Sequence, residues 1–116
     1  MLDNLPPSLQ PQRETLAKCL EAFNTVAPVR AVYLFGSHAR GEARPDSDVD
    51  LCIVAEGAEE QLKMAQRFRH VTWDIWPLPT MTLLPIAPQR LAEKTAAKDT
   101  FYATVLNEGV LLATQN

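Results

Sequence analysis

The sequence has few cysteines and glycines, no long apolar run and no excess of basic residues. Its two cysteines, Cys19 and Cys52, lie far apart outside any CxxC or Cys/His pattern, which argues against a structural zinc site or a disulfide framework. We expect both to be buried, neutral thiols. No window approaches the roughly 20 apolar residues of a membrane span, and the amino end carries no secretory signal pattern. These absences favour a cytoplasmic protein without membrane contact.

Acidic residues outnumber basic ones, with 14 Asp and Glu against 11 Lys and Arg and a net charge of -3. This balance argues against an extended basic surface for nucleic acid, although a small anionic ligand stays possible. The length of 116 residues and the 47% apolar content are typical of one globular domain, which we assign to residues 1–116.

Apolar periodicity predicts an α/β (α+β) chain in which helices pack on a single mixed β-sheet. We expect the elements in this order: helix 9–25, strand 29–35, one helical turn at 37–41, loop 42–47, strand 48–56, helix 59–69 and strand 71–76. The stretch 77–88 contains too many prolines for a regular sheet or helix. A last helix from Pro88 to Gly109 and a short closing strand at 110–114 complete the prediction.

The segment 36–50, GSHARGEARPDSDVD, carries the clearest chemical signal. Gly36 and Ser37 stand between a buried strand and a helical turn, where free backbone N–H groups point outward and favour an anion. Glycine lets a phosphate approach the backbone, the Ser37 hydroxyl adds a donor, and Arg40 could supply counter-charge. Taken alone, such a turn is more simply explained by N-capping through Ser37.

Asp48 and Asp50 are two residues apart on a predicted strand, so their carboxylates share a face and could converge on one cation. A solvated strand edge would explain the same pair. Two divalent ions would need a third carboxylate, and Asp74 in the predicted strand 71–76 is the candidate. Asp74 could instead pair with an arginine such as Arg30 or lie at an exposed sheet edge.

The run G-S-x-A-R-G, a polar loop, S-D-x-D-L and a later apolar-D-apolar strand resembles the DNA polymerase β-like nucleotidyltransferase superfamily. The likeness is to its minimal nucleotidyltransferase (MNT) type, found in HEPN/MNT toxin–antitoxin pairs, and it covers residues 29–76 closely. The resemblance implies a polymerase β-like fold and an enzyme that moves a nucleotidyl group, AMP from ATP, to an acceptor hydroxyl with two Mg²⁺ ions.

The resemblance also implies roles for single residues. Gly36, Ser37 and Arg40 would bind the nucleotide triphosphate. Asp48 and Asp50 would bind both metal ions, and Asp74 would bind the catalytic ion beside the attacking hydroxyl. His38 departs from the pattern, since many members of the superfamily carry arginine there.

A helical HEPN-domain protein is the partner that the resemblance implies, with this chain as antitoxin and a HEPN tyrosine as acceptor. Two alternatives stay open: a non-catalytic antitoxin that neutralises a HEPN ribonuclease by binding, and a small-molecule nucleotidyltransferase of the aminoglycoside type. A homo-oligomer is a further possibility. The apolar residues of 77–88, Met81 and Leu83 among them, either cover the core or contact the partner. We expect Trp73 in the core, while Trp76 could line the site beside Asp74.

Overall fold

The computed structural model describes residues 1–115, which form a four-stranded mixed sheet with helices on both faces. The order across the sheet is β3-β2-β1-β4. The strands are β1 (Val29–Phe35), β2 (Val49–Ala55), β3 (Met81–Ile86) and β4 (Val110–Thr114). β1 is antiparallel to β2 and β4, whereas β2 and β3 are parallel. The predicted α+β fold with one mixed sheet is confirmed.

Two helices cover one face of the sheet. α1 (Arg13–Val26) follows a 3-10 helix (Pro7–Gln12), and α2 (Gln61–Thr72) connects β2 to β3. Their buried side chains meet the inward residues of the strands in the larger core cluster, where the rings of Phe23 and Phe68 lie 4.9 Å apart between centroids. This face is the main hydrophobic core.

The second face carries two short helices, α3 (Pro88–Ala96) and α4 (Thr100–Glu108), where we predicted one. The chain breaks between them because Lys98 adopts a left-handed φ of 59°, and the Asp99 carboxylate then caps α4 by accepting from the N–H of Tyr102 at 3.1 Å. Among residues 1–115, none of the helices is both long and apolar enough to cross a membrane.

α3 and α4 cover only part of the second face. A smaller cluster lies beneath them and contains Cys52, Val54, Ile86, Tyr102 and Val105. Burial raises the pKa of the Cys19 thiol to about 11 and that of Cys52 to about 12, so both are neutral thiols, as expected. At the other end of β2, Asp48 is exposed and Asp50 is partly buried, so this end of the face stays open.

The predicted strand over 71–76 is wrong. α2 continues to Thr72, whose buried hydroxyl donates to the carbonyl of Phe68 at 3.1 Å, and a turn follows. The third strand is β3, which lies inside the proline-rich stretch that we expected to lack regular structure. Met81 and Leu83 on β3 are 6% and 7% exposed and belong to the larger core cluster, so they are core residues and not a partner contact.

β3 accommodates Pro85 because it is an edge strand. The Thr80 carbonyl accepts from the N–H of Val49 at 2.9 Å. The backbone N–H and C=O groups of every second residue from Thr80 onward therefore point toward β2, and those of the residues between them, Pro85 included, point away from it. The Pro85 carbonyl accordingly accepts from Gln61 Nε2 at 2.8 Å instead of from β2. The N–H that proline lacks would have pointed to the open edge, so no ladder hydrogen bond is lost.

The placement of β3 predicts that replacing leucine with alanine changes the free energy of unfolding much more at Leu83 than at Leu62. Leu83 is 7% exposed, whereas Leu62 on α2 is 83% exposed. Leu83→Ala should lower the free energy of unfolding by about 2–5 kcal/mol through lost burial and a cavity. Leu62→Ala should change it by less than about 0.5 kcal/mol. Chemical denaturation of both variants measures this, and a small effect at both positions would contradict a third strand at 81–86.

Candidate active site

The segment between β1 and β2 begins with a single helical turn. Gly36 leaves β1 with a φ of 77°, and its carbonyl accepts from the N–H of Arg40 at 3.2 Å. The N–H groups of residues 37–39 precede this hydrogen bond, so they have no acceptor inside the turn, as at the start of any helix. Gly41, with a φ of 72°, ends the turn as predicted. The turn therefore presents backbone donors at the end of β1.

The carboxylate of Asp50 lies directly against Gly36. β1 and β2 pair Phe35 with Asp50, and a Cβ atom added to Gly36 would overlap Oδ2 of Asp50. Position 36 thus requires glycine for two reasons: the left-handed backbone, and the space that the carboxylate fills. This contact brings the strand carboxylate beside the N–H groups of the turn.

Asp48 and Asp50 flank the start of β2, with the residue between them buried in the core. Desolvation raises the pKa of the Asp50 carboxyl, and the negative charge of Asp48 raises it further. The Thr82 side chain and the charges of His38 and Arg40 lower this pKa, but by less. Desolvation is the largest of these effects, so the surroundings of Asp50 disfavour its ionised form.

The direction of this shift sets how Asp50 affects stability. With a raised pKa in the fold, the unfolded chain ionises Asp50 at lower pH than the folded chain does. As pH rises from the ordinary aspartate pKa to the folded pKa, ionisation of Asp50 therefore lowers the free energy of unfolding. A cation bound to the ionised carboxylate would reverse the loss. Such a cost is more typical of a binding site than of a structural carboxylate.

Thr82 lies beside Asp50 on the neighbouring strand. β2 and β3 are parallel and pair Asp50 with Thr82, so the two side chains share a face. Thr82 is exposed, and its side chain lies close enough to the Asp50 carboxyl to lower its pKa. We did not single out Thr82 from the sequence, because its position depends on a strand that the prolines concealed.

Asp74 does not lie on a strand. It is exposed in the turn after α2, between the exposed Trp73 and Ile75, and Trp76 is also exposed. The expectations that Trp73 is a core residue and that Asp74 sits on a third strand beside Asp50 therefore fail. Over residues 1–115 no three His, Cys, Asp or Glu side chains come together in a group that could hold a metal ion.

His38 has a structural position that the sequence did not reveal. Its ring is 6% exposed and bridges the amino-terminal 3-10 helix to the loop before β2. Nε2 lies 3.3 Å from the Ser47 carbonyl, which can only accept, so Nε2 carries the proton. Nδ1 lies 2.9 Å from the Ser8 hydroxyl and makes the second hydrogen bond of the ring. His38 thus fixes the loop that leads to Asp48.

Ser37 and Arg40 stand at the two ends of the turn. Ser37 is partly exposed, and the Arg40 side chain is 43% exposed with Nε 3.5 Å from Glu42 Oε2. An exposed ion pair of this kind holds its partners only weakly. The Arg40 charge acts on Asp50, and the side chain is free to turn toward an anion at the turn.

Asp48 and Asp50 are the carboxylates at this end of β2 that would hold a Mg²⁺ ion. Mg²⁺ takes hard oxygen ligands and commonly uses one or two carboxylates, with phosphate oxygens and water completing its shell. A Cβ atom at Gly36 would overlap the Asp50 carboxylate, so this oxygen ligand lies next to the backbone N–H groups of the turn. A second ion finds no third carboxylate in the part of the chain that the structure describes.

Comparison with known proteins identifies the family of this chain. The family model of the nucleotidyltransferase domain matches residues 15–106, which contain the turn, both aspartates and β3. The chain belongs to the nucleotidyltransferase domain family. A candidate nucleotidyltransferase from Sulfolobus solfataricus shares the fold of this nucleotidyltransferase domain, with a TM-score of 0.61 over 93% of this chain and 85% of that chain at 23% identity. No curated protein gives a significant match. The superfamily is confirmed; the HEPN/MNT type stays a prediction.

The contact between Gly36 and Asp50 can be tested against a matched glycine. Both Gly36 and Gly41 have a positive φ, so alanine at either costs about 1–2 kcal/mol of backbone strain. Only at position 36 would the new Cβ overlap Asp50, whereas nothing lies within 4 Å at position 41. Gly36→Ala should therefore lose Mg²⁺-dependent ATP binding in calorimetry, and Gly41→Ala should keep it. Equal ATP affinities in the two variants would show that the contact is not needed.

Proposed function

We propose that this nucleotidyltransferase domain binds ATP with Mg²⁺ and transfers AMP to a hydroxyl group of a partner protein. The observation that carries the proposal is the contact between the Gly36 turn and Asp50. A magnesium nucleotide needs donors for its phosphates and oxygen ligands for its cation at adjacent places. The turn supplies the donors, and Asp48 and Asp50 supply the ligands.

Each residue then has a distinct role. The N–H groups at 37–39 and the Ser37 hydroxyl bind the distal phosphates, and Arg40 adds positive charge. Asp48 and Asp50 hold Mg²⁺, and the bound cation would neutralise part of the phosphate charge. Transfer of a nucleotidyl group then depends on positioning and charge, and it needs no nucleophile from the protein.

The acceptor in this proposal is a tyrosine of a HEPN-type toxin, which makes the chain an antitoxin. The resemblance of the motif to HEPN/MNT pairs supports this choice. So does the open end of the sheet face, where Asp48 is exposed and a large acceptor can approach.

Two exposed tryptophans also favour a protein partner. Trp73 is 75% exposed and Trp76 is 86% exposed, both in the turn after α2. The chain leads from this turn into β3, which begins at Met81 beside Val49, between the two aspartates. Exposed aromatic residues of this size are typical of interface anchors.

A second candidate function is an antitoxin that binds its partner and does not modify it. Thr82 favours this candidate, because a neutral hydroxyl stands beside Asp50 where a carboxylate could hold a second cation. Partner binding through the exposed tryptophans would not require transfer.

A label-transfer experiment tests the proposal and separates the two candidates. ATP labelled on the α-phosphate, Mg²⁺ and a HEPN-type partner should give a partner that carries AMP on tyrosine, read by autoradiography and mass spectrometry. The Asp48→Asn, Asp50→Asn double variant should give no label, because both cation ligands lose their charge. Asp46→Asn, at an exposed position in the preceding loop, is the control and should label normally.

Two outcomes would contradict the proposal in different ways. Label in the double variant would contradict the assignment of Asp48 and Asp50. A partner that co-purifies with the wild-type chain and stays unlabelled after long incubation would favour the binding-only antitoxin.

A further inference from the structure

This inference rests on the proposed function and concerns the number of cations that the site can hold. Two divalent ions in a transfer site lie about 3.5–4 Å apart and are held by carboxylates that surround both. Asp48 and Asp50 supply two carboxylates from β2. A third would have to come from a residue on the same face of a strand next to Asp50.

The register of the sheet identifies both such positions. Asp50 pairs with Thr82 of β3 on one side and with Phe35 of β1 on the other. The Phe35 ring packs against Phe101 of α4, with centroids 5.8 Å apart. Phenylalanine has no metal ligand, so only position 82 could complete a carboxylate site.

The neighbours of Thr82 on β3 do not replace it. Met81 and Leu83 point into the larger core cluster on the opposite face. Leu84 is the next residue on the Asp50 face, and it packs with the smaller cluster. Position 82 is therefore the place on β3 from which a side chain reaches the open end of the site, and it carries a neutral hydroxyl.

We propose that Thr82 makes this domain a one-cation site that binds the magnesium nucleotide but transfers slowly. In transfer, the acceptor oxygen bonds to the α-phosphorus, and the bond from that phosphorus to the bridging oxygen of the β-phosphate breaks. The electron pair of the broken bond leaves on pyrophosphate, and the acceptor proton must go to a base. A threonine hydroxyl is not a base at neutral pH. In the wild-type reaction the proton of the acceptor hydroxyl goes to solvent water, because position 82 carries no carboxylate to accept it.

The cation count gives a test that does not depend on turnover. Electron paramagnetic resonance measures Mn²⁺ bound to the protein in the presence of α,β-methylene-ATP, which cannot lose pyrophosphate. The wild-type chain should bind one Mn²⁺ with the nucleotide, and Thr82→Asp should bind two. Thr82→Asn, which has the shape of aspartate without its charge, should bind one. Thr82→Glu is the second acidic variant, and circular dichroism checks that each variant is folded.

Hydrolysis of ATP to AMP and pyrophosphate, with water as acceptor, gives the second readout. Thr82→Asp should raise this rate by roughly 10²-fold, the order expected when a positioned base is added, and the neutral Thr82→Asn should give no such increase. Two Mn²⁺ ions in the wild-type chain would overturn the inference, as would folded acidic variants that still bind one. If the wild-type chain binds no nucleotide with Mn²⁺ or Mg²⁺, the proposed function fails, and the inference fails with it.

Discussion

The contact between the Asp50 carboxylate and the backbone of Gly36 is the constraint on which the rest of the site depends. It exists only if β1 and β2 pair in the observed antiparallel register and if the turn starts with a residue that has no side chain. Desolvation raises the pKa of Asp50, so the arrangement lowers stability at neutral pH. The apolar core on the opposite face of β2 offsets this cost, and His38 fixes the loop before Asp48.

The elements around this contact could be predicted from the sequence because their signals are local. β1 is a short apolar run followed by Gly36, and β2 carries Asp50 near its start, two residues after Asp48, and continues as an apolar run. Alternation fixes which side chains share a face, so the common face of Asp48 and Asp50 followed directly.

The third strand could not be found in this way because its position depends on the whole sheet. The alternation over 71–76 suggested a strand, but Thr72 continues the buried stripe of α2 formed by Met64 and Phe68. Pro85 argued against the real strand, although an edge position makes proline harmless there. Once β3 is placed, its register puts Thr82 beside Asp50 and leaves Asp74 outside. The wrong strand therefore predicted a site of three carboxylates, where the structure brings two together at this end of β2.

Isothermal titration calorimetry of the wild-type chain with ATP, in the presence and absence of Mg²⁺, tests the central claim most directly. The central claim is that the Gly36 turn and the two aspartates form one site for a cation and a triphosphate together. It predicts ATP binding with Mg²⁺ and a loss of most of that affinity when the cation is removed, since Asp48 and Asp50 then repel the phosphates. ATP binding that is equally tight without Mg²⁺, or absent under both conditions, would contradict it.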